Sequence, residues 1–172
     1  MTIFFCSDHH FGHSNILTFK NEDGSNVRTF ESVEEMNNHI VERHNAVVRP
    51  NDKVYFLGDV AFSHRNLFYL GSMHGEKVLI KGNHDTCKLS QYEPYFKDVR
   101  AVHQMKGLVM AHIPIHPDSL GRWGYQVHGH LHSNHVLDAK GKRDKRYFNV
   151  SMEVINFTPV SLEELMAHKP EV

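Results

Sequence analysis

Three short apolar runs, Ile3-Phe4-Phe5-Cys6, Val54-Tyr55-Phe56-Leu57 and Val78-Leu79-Ile80, each break off into a polar loop. Each is too short for a helix, and each is apolar at every position rather than at every second one. That pattern belongs to strands covered on both faces, the condition of a parallel sheet. Parallel neighbours need crossover connections, usually helical. Residues Ser32 to Val48 supply one: Val33, Met36, Ile40, His44 and Val47 recur at helical spacing, Ser32 is placed to cap with Glu35 three residues on, and Pro50 stops the run. The pattern predicts a second, short helix over residues 65–73, with Leu67, Leu70 and Met73 on one face, and another after Cys87, ended by Pro94. Strand and helix alternate, so βαβ units and an α/β fold are expected. Residues 16–31 read as an irregular surface connection.

The second half changes character. Val99 to Met105 and Leu108 to His112 are strand-like and separated by Lys106-Gly107, a hairpin signal. Asp138 to Arg146 reads as a charged turn around Gly141, and Tyr147 to Val150 and Glu153 to Phe157 as closing strands. Ser161 is placed to cap a last helix, with Glu164 at the reciprocal position. A length of 172 residues suits a single domain over 1–172 with a sizeable core. Lys plus Arg total 19 against 20 Asp plus Glu, which argues against a nucleic-acid binder working through bulk positive charge. Two cysteines, Cys6 and Cys87, are too few for a disulfide framework and point to a reduced, cytoplasmic setting. The N-terminus lacks the basic region of a signal peptide, and no apolar run approaches membrane-spanning length, so no membrane partner is expected.

The chemistry sits where the strands stop. Asp8 and His10 are two apart and project to one side of an extended chain, a plausible metal pair, with His13 facing the same cleft. Gly58-Asp59 presents a carboxylate. Lys81-Gly82-Asn83-His84-Asp85 offers an amide oxygen for a cation, an imidazole that carries a proton near neutral pH, and a carboxylate able to orient a histidine. His112 ends another run, and His130 and His132 repeat the two-apart spacing; His128 is read as buried behind them, and His39 and His44 as structural or solvated. Strand ends of an α/β sheet converge at one edge, where ligands bind. Carboxylate, imidazole and amide oxygen together suit Mn, Fe, Ni or Zn, and the count suits two ions sharing Asp59. Arg28 reads either as a contact for an anionic substrate or as an ion-paired surface residue, and Arg122 beside Trp123 as a guide for a strand or as packing.

The motifs Asp8-x-His10, Gly58-Asp59, Gly82-Asn83-His84-Asp85, His112 and Gly129-His130-x-His132 resemble, in content and order, those of the calcineurin-like metallophosphoesterase superfamily. The resemblance covers residues 8–132. It implies an α/β, four-layer α-β-β-α sandwich with two mixed β-sheets and two divalent metals at the strand ends. By the same resemblance Asp8, His10, Asp59 and His132 hold one metal, and Asp59, Asn83, His112 and His130 the other. His84, steered by Asp85, acts on the leaving oxygen or binds the phosphate, and His13, Arg28 and Arg122 are candidate substrate contacts. The implied reaction is hydrolysis of a phosphodiester or nucleotide-like ester by a metal-bridging hydroxide, with Mn as the expected cofactor. Gly58-Asp59 is followed by Val60-Ala61-Phe62, without the Asp-Arg-Gly extension of the protein phosphatases, which directs the resemblance to the small phosphodiesterase-like branch of bacteria and phages. Two other function classes stand beside this one. One is a metal-dependent nuclease guided by Arg28, Arg122, Trp123 and the turn from Lys140 to Arg146; the other is a non-catalytic metal-binding protein of the same fold.

Overall fold

The computed structural model describes residues 1–167. Four parallel strands form most of the first sheet: β1 (Ile3–Cys6), β2 (Lys53–Phe56), β3 (Glu76–Ile80) and β4 (Asp98–Arg100). The second sheet contains β5 (His103–Met105), β6 (Leu108–Met110), β7 (Tyr125–His128) and β8 (Tyr147–Asn149). The chain returns to the first sheet as β9 (Val160–Ser161), antiparallel to β1, so the orders are β4-β3-β2-β1-β9 and β5-β6-β7-β8. In the second sheet β5 and β6 are antiparallel and β6, β7 and β8 parallel. Both sheets are therefore mixed, and the fold is α/β.

The uniform apolarity of the strands follows from what covers them. Phe5, Tyr55, Leu57, Val78 and Ile80 point from the first sheet toward Leu108, Met110, Val127 and Phe148 of the second. The alternate residues Phe4, Cys6, Val54, Phe56 and Leu79 point the other way, onto Met36 and Ile40 of helix α1 (Val33–Val47) and onto Leu67 and Leu70. One run thus feeds two cores, because successive side chains of a strand face opposite sides. The outer face of the second sheet is covered by Leu120 of a 3-10 helix, Pro117–Arg122, packed with Val109 and Tyr147.

Local signals explain the boundaries. Ser32 Oγ accepts the Glu35 N–H at 3.0 Å at the start of α1, and the Glu35 carboxylate reaches back to the Glu31 N–H at 2.8 Å. The predicted helix over 65–73 is a 3-10 helix, His64–Ser72, and the one after Cys87 is the single turn α2 (Leu89–Tyr92). The Lys106-Gly107 hairpin closes β5 onto β6 with both residues at positive φ, 50° and 75°, which suits the right-handed twist of the strands. Ser161 and Glu164 exchange both capping bonds, 3.1 and 2.8 Å, at the head of helix α3 (Leu162–Ala167).

Two sequence expectations are corrected. The run from Val99 to Met105 is not one strand: Asp98–Arg100 pairs with β3 and His103–Met105 with β6, in different sheets, and the exposed Ala101 and Val102 carry the chain between them. Glu153 to Phe157 is not a strand either. It is a run of turns in which Asn156 and Phe157 adopt left-handed backbone, φ 48° and 57°, incompatible with pairing. Among the described residues no helix is long and apolar enough to cross a membrane.

Candidate metal centre

Every candidate ligand follows the C-terminal end of a parallel strand: Asp8 and His10 after β1, Asp59 after β2, Asn83 after β3, His112 after β6, and His130 and His132 after β7. The edges of both sheets meet there. The His130 N–H and the Ser151 Oγ both donate to Asp8 Oδ2 at 2.9 Å, and His112 Nδ1 lies 2.6 Å from the Leu57 carbonyl oxygen. Two clusters result. Asp8, His10 and His132 form one, and Asp59, His112 and His130 the other, with ligand atoms in each lying within 4.8 Å of one another. Each cluster falls within one of the two sets implied by the motif resemblance; Asn83 is of another residue class, and Asp59, expected in both sets, groups with the second alone.

The two carboxylates are held in the same way. Asp8 spends Oδ2 on those two donors and leaves Oδ1 buried with no hydrogen-bond partner among the described residues, 3.7 Å from the equally unpartnered His10 Nε2. Asp59 spends Oδ1 on the His84 N–H at 2.8 Å and turns Oδ2 between two imidazoles, 3.8 Å from His10 Nε2 and 3.3 Å from His112 Nε2. Asn83 Oδ1 completes the second cluster at 3.0 Å from both His112 Nε2 and His130 Nδ1. Buried polar atoms are nearly always paired, so unpartnered ones aimed at a common point ask for a cation. Donors each about 2.1 Å from one ion lie roughly 3.0–3.4 Å apart, close to the spacings of the inward-facing atoms. The donor set of carboxylates, imidazoles and one amide oxygen suits a pair of first-row transition ions, with Asp59 facing both.

The backbone around these ligands is strained. Among the described residues the non-glycine positions at positive φ are Asp8 (60°), His10 (53°), Asp59 (53°), His130 (68°), His132 (48°), Lys106, Asn156 and Phe157. Five of the eight are candidate ligands. Left-handed backbone costs an L-residue about 1–2 kcal/mol, and such residues gather where function requires an unusual aim of the side chain. Close approach also depends on Gly129. A Cβ there would meet Ser7 Oγ at 2.0 Å and Asp8 Oδ2 at 2.3 Å, so only glycine lets the second sheet's loop reach the first sheet's carboxylate.

Imidazole tautomers are set from behind. His132 Nδ1 lies 3.1 Å from Glu153 Oε1, which directs Nε2 to the site, and the Leu57 carbonyl does the same for His112. Burial lowers the pKa of both histidines, but carboxylates outweigh it: Asp59 and Asp8 act on His112, Glu153 and Asp8 on His132, and both end above the ordinary value. Burial pushes Asp8 up, yet the nearby His10 imidazole and the charges of His132 and His112 bring it well below the usual carboxylate range. A cation held by these imidazoles would have to displace any proton they carry. His13 stacks on Phe62 and lies 5.6 Å from His10; burial and the neighbouring histidines His10 and His84 bring its pKa down to about 4. His84 is exposed at the mouth, its ring edge-on to His10 at 5.6 Å.

Three expected roles change. Asp85 does not steer His84: its Oδ2 accepts the Asp59 and Gly82 N–H groups, both at 2.8 Å, and its Oδ1 accepts the Val60 N–H at 3.0 Å, so it staples the loop after β3 to the loop after β2. Arg28 does not face a substrate. It is 1 % exposed; its Nε donates to Glu153 Oε1 at 2.8 Å, and its terminal nitrogens donate to the carbonyls of His9, at 2.8 Å, and Asp8. It therefore supports the Asp8–His10 loop from beneath and neutralises the carboxylate that holds His132. Arg122 lies before the N-terminal end of β7, the far side from the ligands, where the Trp123 carbonyl abuts the Gly107 hairpin. That placement also removes Arg122 and Trp123 as guides for a nucleic-acid strand at this site.

Sequence reasoning missed Glu153 and Ser151. The only signal was an acidic residue and a serine flanking Met152 after a β8 that ends at the same edge. Arg28 provides the test of its corrected role. Arg28→Met is expected to cost about 3–5 kcal/mol of stability in urea denaturation, because it leaves Glu153 buried with only the His132 imidazole beside it. A substrate-facing arginine would leave stability within about 0.5 kcal/mol and change only substrate affinity.

Comparison with models of protein families finds no match. Among curated proteins, the uncharacterized protein MJ1445 of Methanocaldococcus jannaschii is 38 % identical over 172 residues, covering 94 % of this chain and 87 % of its own length. Among solved structures, a protein of unknown function from Aquifex aeolicus, AQ665, is similar with a TM-score of 0.71 over 96 % of this chain and 98 % of its own, at 24 % identity, which speaks for the fold alone.

Proposed function

We propose that this chain, which belongs to the same family as the Methanocaldococcus jannaschii protein MJ1445, hydrolyses phosphoesters with two divalent transition-metal ions. On this reading the two sheets and their helices are the four-layer α-β-β-α sandwich of the calcineurin-like metallophosphoesterases. The observation that carries the proposal is the position of Asp59 Oδ2 between His10 and His112, each of which belongs to a separate ligand cluster. A single shared carboxylate between two half-sites is the arrangement a pair of catalytic ions requires.

Asp8, His10, Asp59 and His132 would hold one ion, and Asp59, Asn83, His112 and His130 the other. When bound, such ions supply positive charge that attracts a phosphoester and Lewis acidity that makes water a competent nucleophile near neutral pH. The protein's own groups do the rest. Asp85 fixes the spacing of the two loops that carry Asp59 and Asn83. Its carboxyl is pushed above the ordinary carboxylate range by burial and the nearby Asp59 charge, offset in part by the three N–H donors. Glu153 and Leu57 hold the histidine tautomers. His84, anchored by its backbone to Asp59, places an exposed imidazole over the mouth, where it can deliver a proton to a departing oxygen. Mn is the first ion to test, followed by Fe, Ni and Zn.

The test pairs metal content with turnover. After loading with Mn, elemental analysis is expected to give about two ions per chain, as in two-metal hydrolases. Bis(p-nitrophenyl) phosphate is expected to be cleaved at least as fast as p-nitrophenyl phosphate, since Asn83, His84 and His130 are exposed to solvent. EDTA should stop the reaction and Mn restore it. Two bound ions without cleavage of any mono-, di- or cyclic phosphoester would leave a metal-binding protein in place of an enzyme.

A further inference from the structure

Beside the ligands lies a cleft of about 490 Å³, and His130 and His132 form part of its wall. Its opposite side is the loop 19–27, which is closed on itself: the Val27 N–H donates to the Phe19 carbonyl at 2.9 Å, the Asn21 N–H to the Ser25 carbonyl at 2.8 Å, and Lys20 pairs with Asn26 as a β-bridge. Its other flank is equally fixed, since the Asn149 side-chain amide donates to the carbonyls of His132 and Asn134, both at 2.8 Å. Two braced walls with a space between them make a preformed pocket, in the size range of small-molecule sites.

The lining is aromatic, apolar and nearly neutral. Phe19 is 48 % exposed and, with Val27 and Leu131, gives the cleft its apolar wall. The same ring stands edge-on to His13 at 5.6 Å, and the other face of that cluster is Phe62, 53 % exposed and parallel to His13 at 4.3 Å. Single exposed phenyl rings are ordinary, but two on either side of a histidine that adjoins His10 form a patch at the mouth of the site. Lys20 and Glu22 carry opposite charges in the lining, so the cleft has no excess of cations to track a phosphate chain. Asn134 and Ser133 line it with amide and hydroxyl groups suited to the edge of a heterocycle.

We infer that the substrate of this site is a nucleotide ester whose base lies against Phe19, in the cleft between residues 19–27 and 130–134. The inference rests on the phosphoesterase reading for the position of the phosphorus, which sits at the ligands while the nucleoside extends along His130 and His132. Stacking on an aromatic ring tolerates any base, because every base has a π-face. The class selected is therefore the nucleoside and not one particular base. A neutral cleft of this volume also takes one nucleoside rather than a run of a strand.

Two measurements on the full chain test it. The Mn-loaded protein is assayed on thymidine 5′-(p-nitrophenyl phosphate) and on methyl p-nitrophenyl phosphate, which share a leaving group and differ in the presence of the nucleoside. The metal-free protein is examined with thymidine alone by saturation-transfer NMR. We expect the thymidine ester to be preferred in kcat/KM by about 10- to 100-fold, the range of one base stacked on one aromatic side chain, and saturation to pass to the base protons. Phe19→Ala should bring the ratio close to one and remove the transfer, and Phe19→Tyr should restore both. Because Phe19 is half exposed, its removal leaves the cores untouched. Equal rates on both esters with no transfer would overturn the nucleotide inference and leave the phosphoesterase reading standing. Transfer that Phe19→Ala abolishes, without hydrolysis of either ester, would retain the nucleoside site and overturn hydrolysis. Absence of both would remove both.

Discussion

Exchange of Asp59 for asparagine is expected to weaken both halves of the metal centre together and to lower phosphoester hydrolysis by about 1,000-fold or more. Even an outer hydrogen-bond partner of a metal ligand is typically worth about 10–100-fold in affinity, and here both proposed ions would lose a ligand through one substitution. The geometry sets the direction of the effect. Asp59 Oδ1 accepts the His84 N–H at 2.8 Å, so the asparagine oxygen will keep that place. Its NH2 group must then occupy the position of Oδ2, between His10 Nε2 and His112 Nε2. A donor stands where both clusters need an acceptor, and the negative charge is gone as well. Elemental analysis should show fewer than two ions per chain after gel filtration, with circular dichroism unchanged. Full stoichiometry and full turnover in this variant would remove Asp59 from its bridging role.

His84→Ala is expected to retain both ions and lose activity according to the leaving group. General acid catalysis is commonly worth about 10²–10⁴-fold, and least where the departing oxygen needs no proton. An alkyl or nucleoside leaving group should therefore suffer most of that loss, and p-nitrophenolate much less. The side chain donates to no ligand; only the backbone N–H of residue 84 holds Asp59, and alanine keeps it. Metal content should accordingly stay at the wild-type level. Equal losses on good and poor leaving groups with metals in place would assign the imidazole to phosphate binding instead. A drop in metal occupancy would make it a support for the loop.

The strand ends were legible in the sequence because each ligand follows directly on an apolar run, and a buried strand that stops must turn its next polar residue toward the sheet edge. Asp8, His10, Asp59, Asn83, His112, His130 and His132 all sit there for that reason. Helix α1 and the last helix were legible through Ser32 and Ser161, whose capping bonds are local. What escaped depends on contacts far apart in the chain. Arg28 and Glu153 are 125 residues apart, and nothing near Arg28 distinguishes a buried arginine from a surface one. Asp85 adjoins His84 in sequence, but its carboxylate faces backbone donors 25 and 26 residues earlier. Glu153 to Phe157 has strand composition, and only the left-handed backbone at Asn156 and Phe157 reveals the turns. The division of Val99 to Met105 between two sheets is decided by the partners β3 and β6, which no local pattern encodes.

One consequence concerns the gap between the sheets. Asp8, His10, Asp59 and Asn83 stand on the first sheet, His112, His130 and His132 on the second. The spacer that separates these two banks is the layer of Phe5, Leu57, Val78, Met110 and Val127. That layer acts as a calliper. A side chain enlarged or trimmed there changes the jaw opening at the rim, and interiors packed like crystals transmit such a change rather than absorb it. The width of this hydrophobic seam is therefore part of the specification of the candidate metal centre, set by side chains that carry no charge.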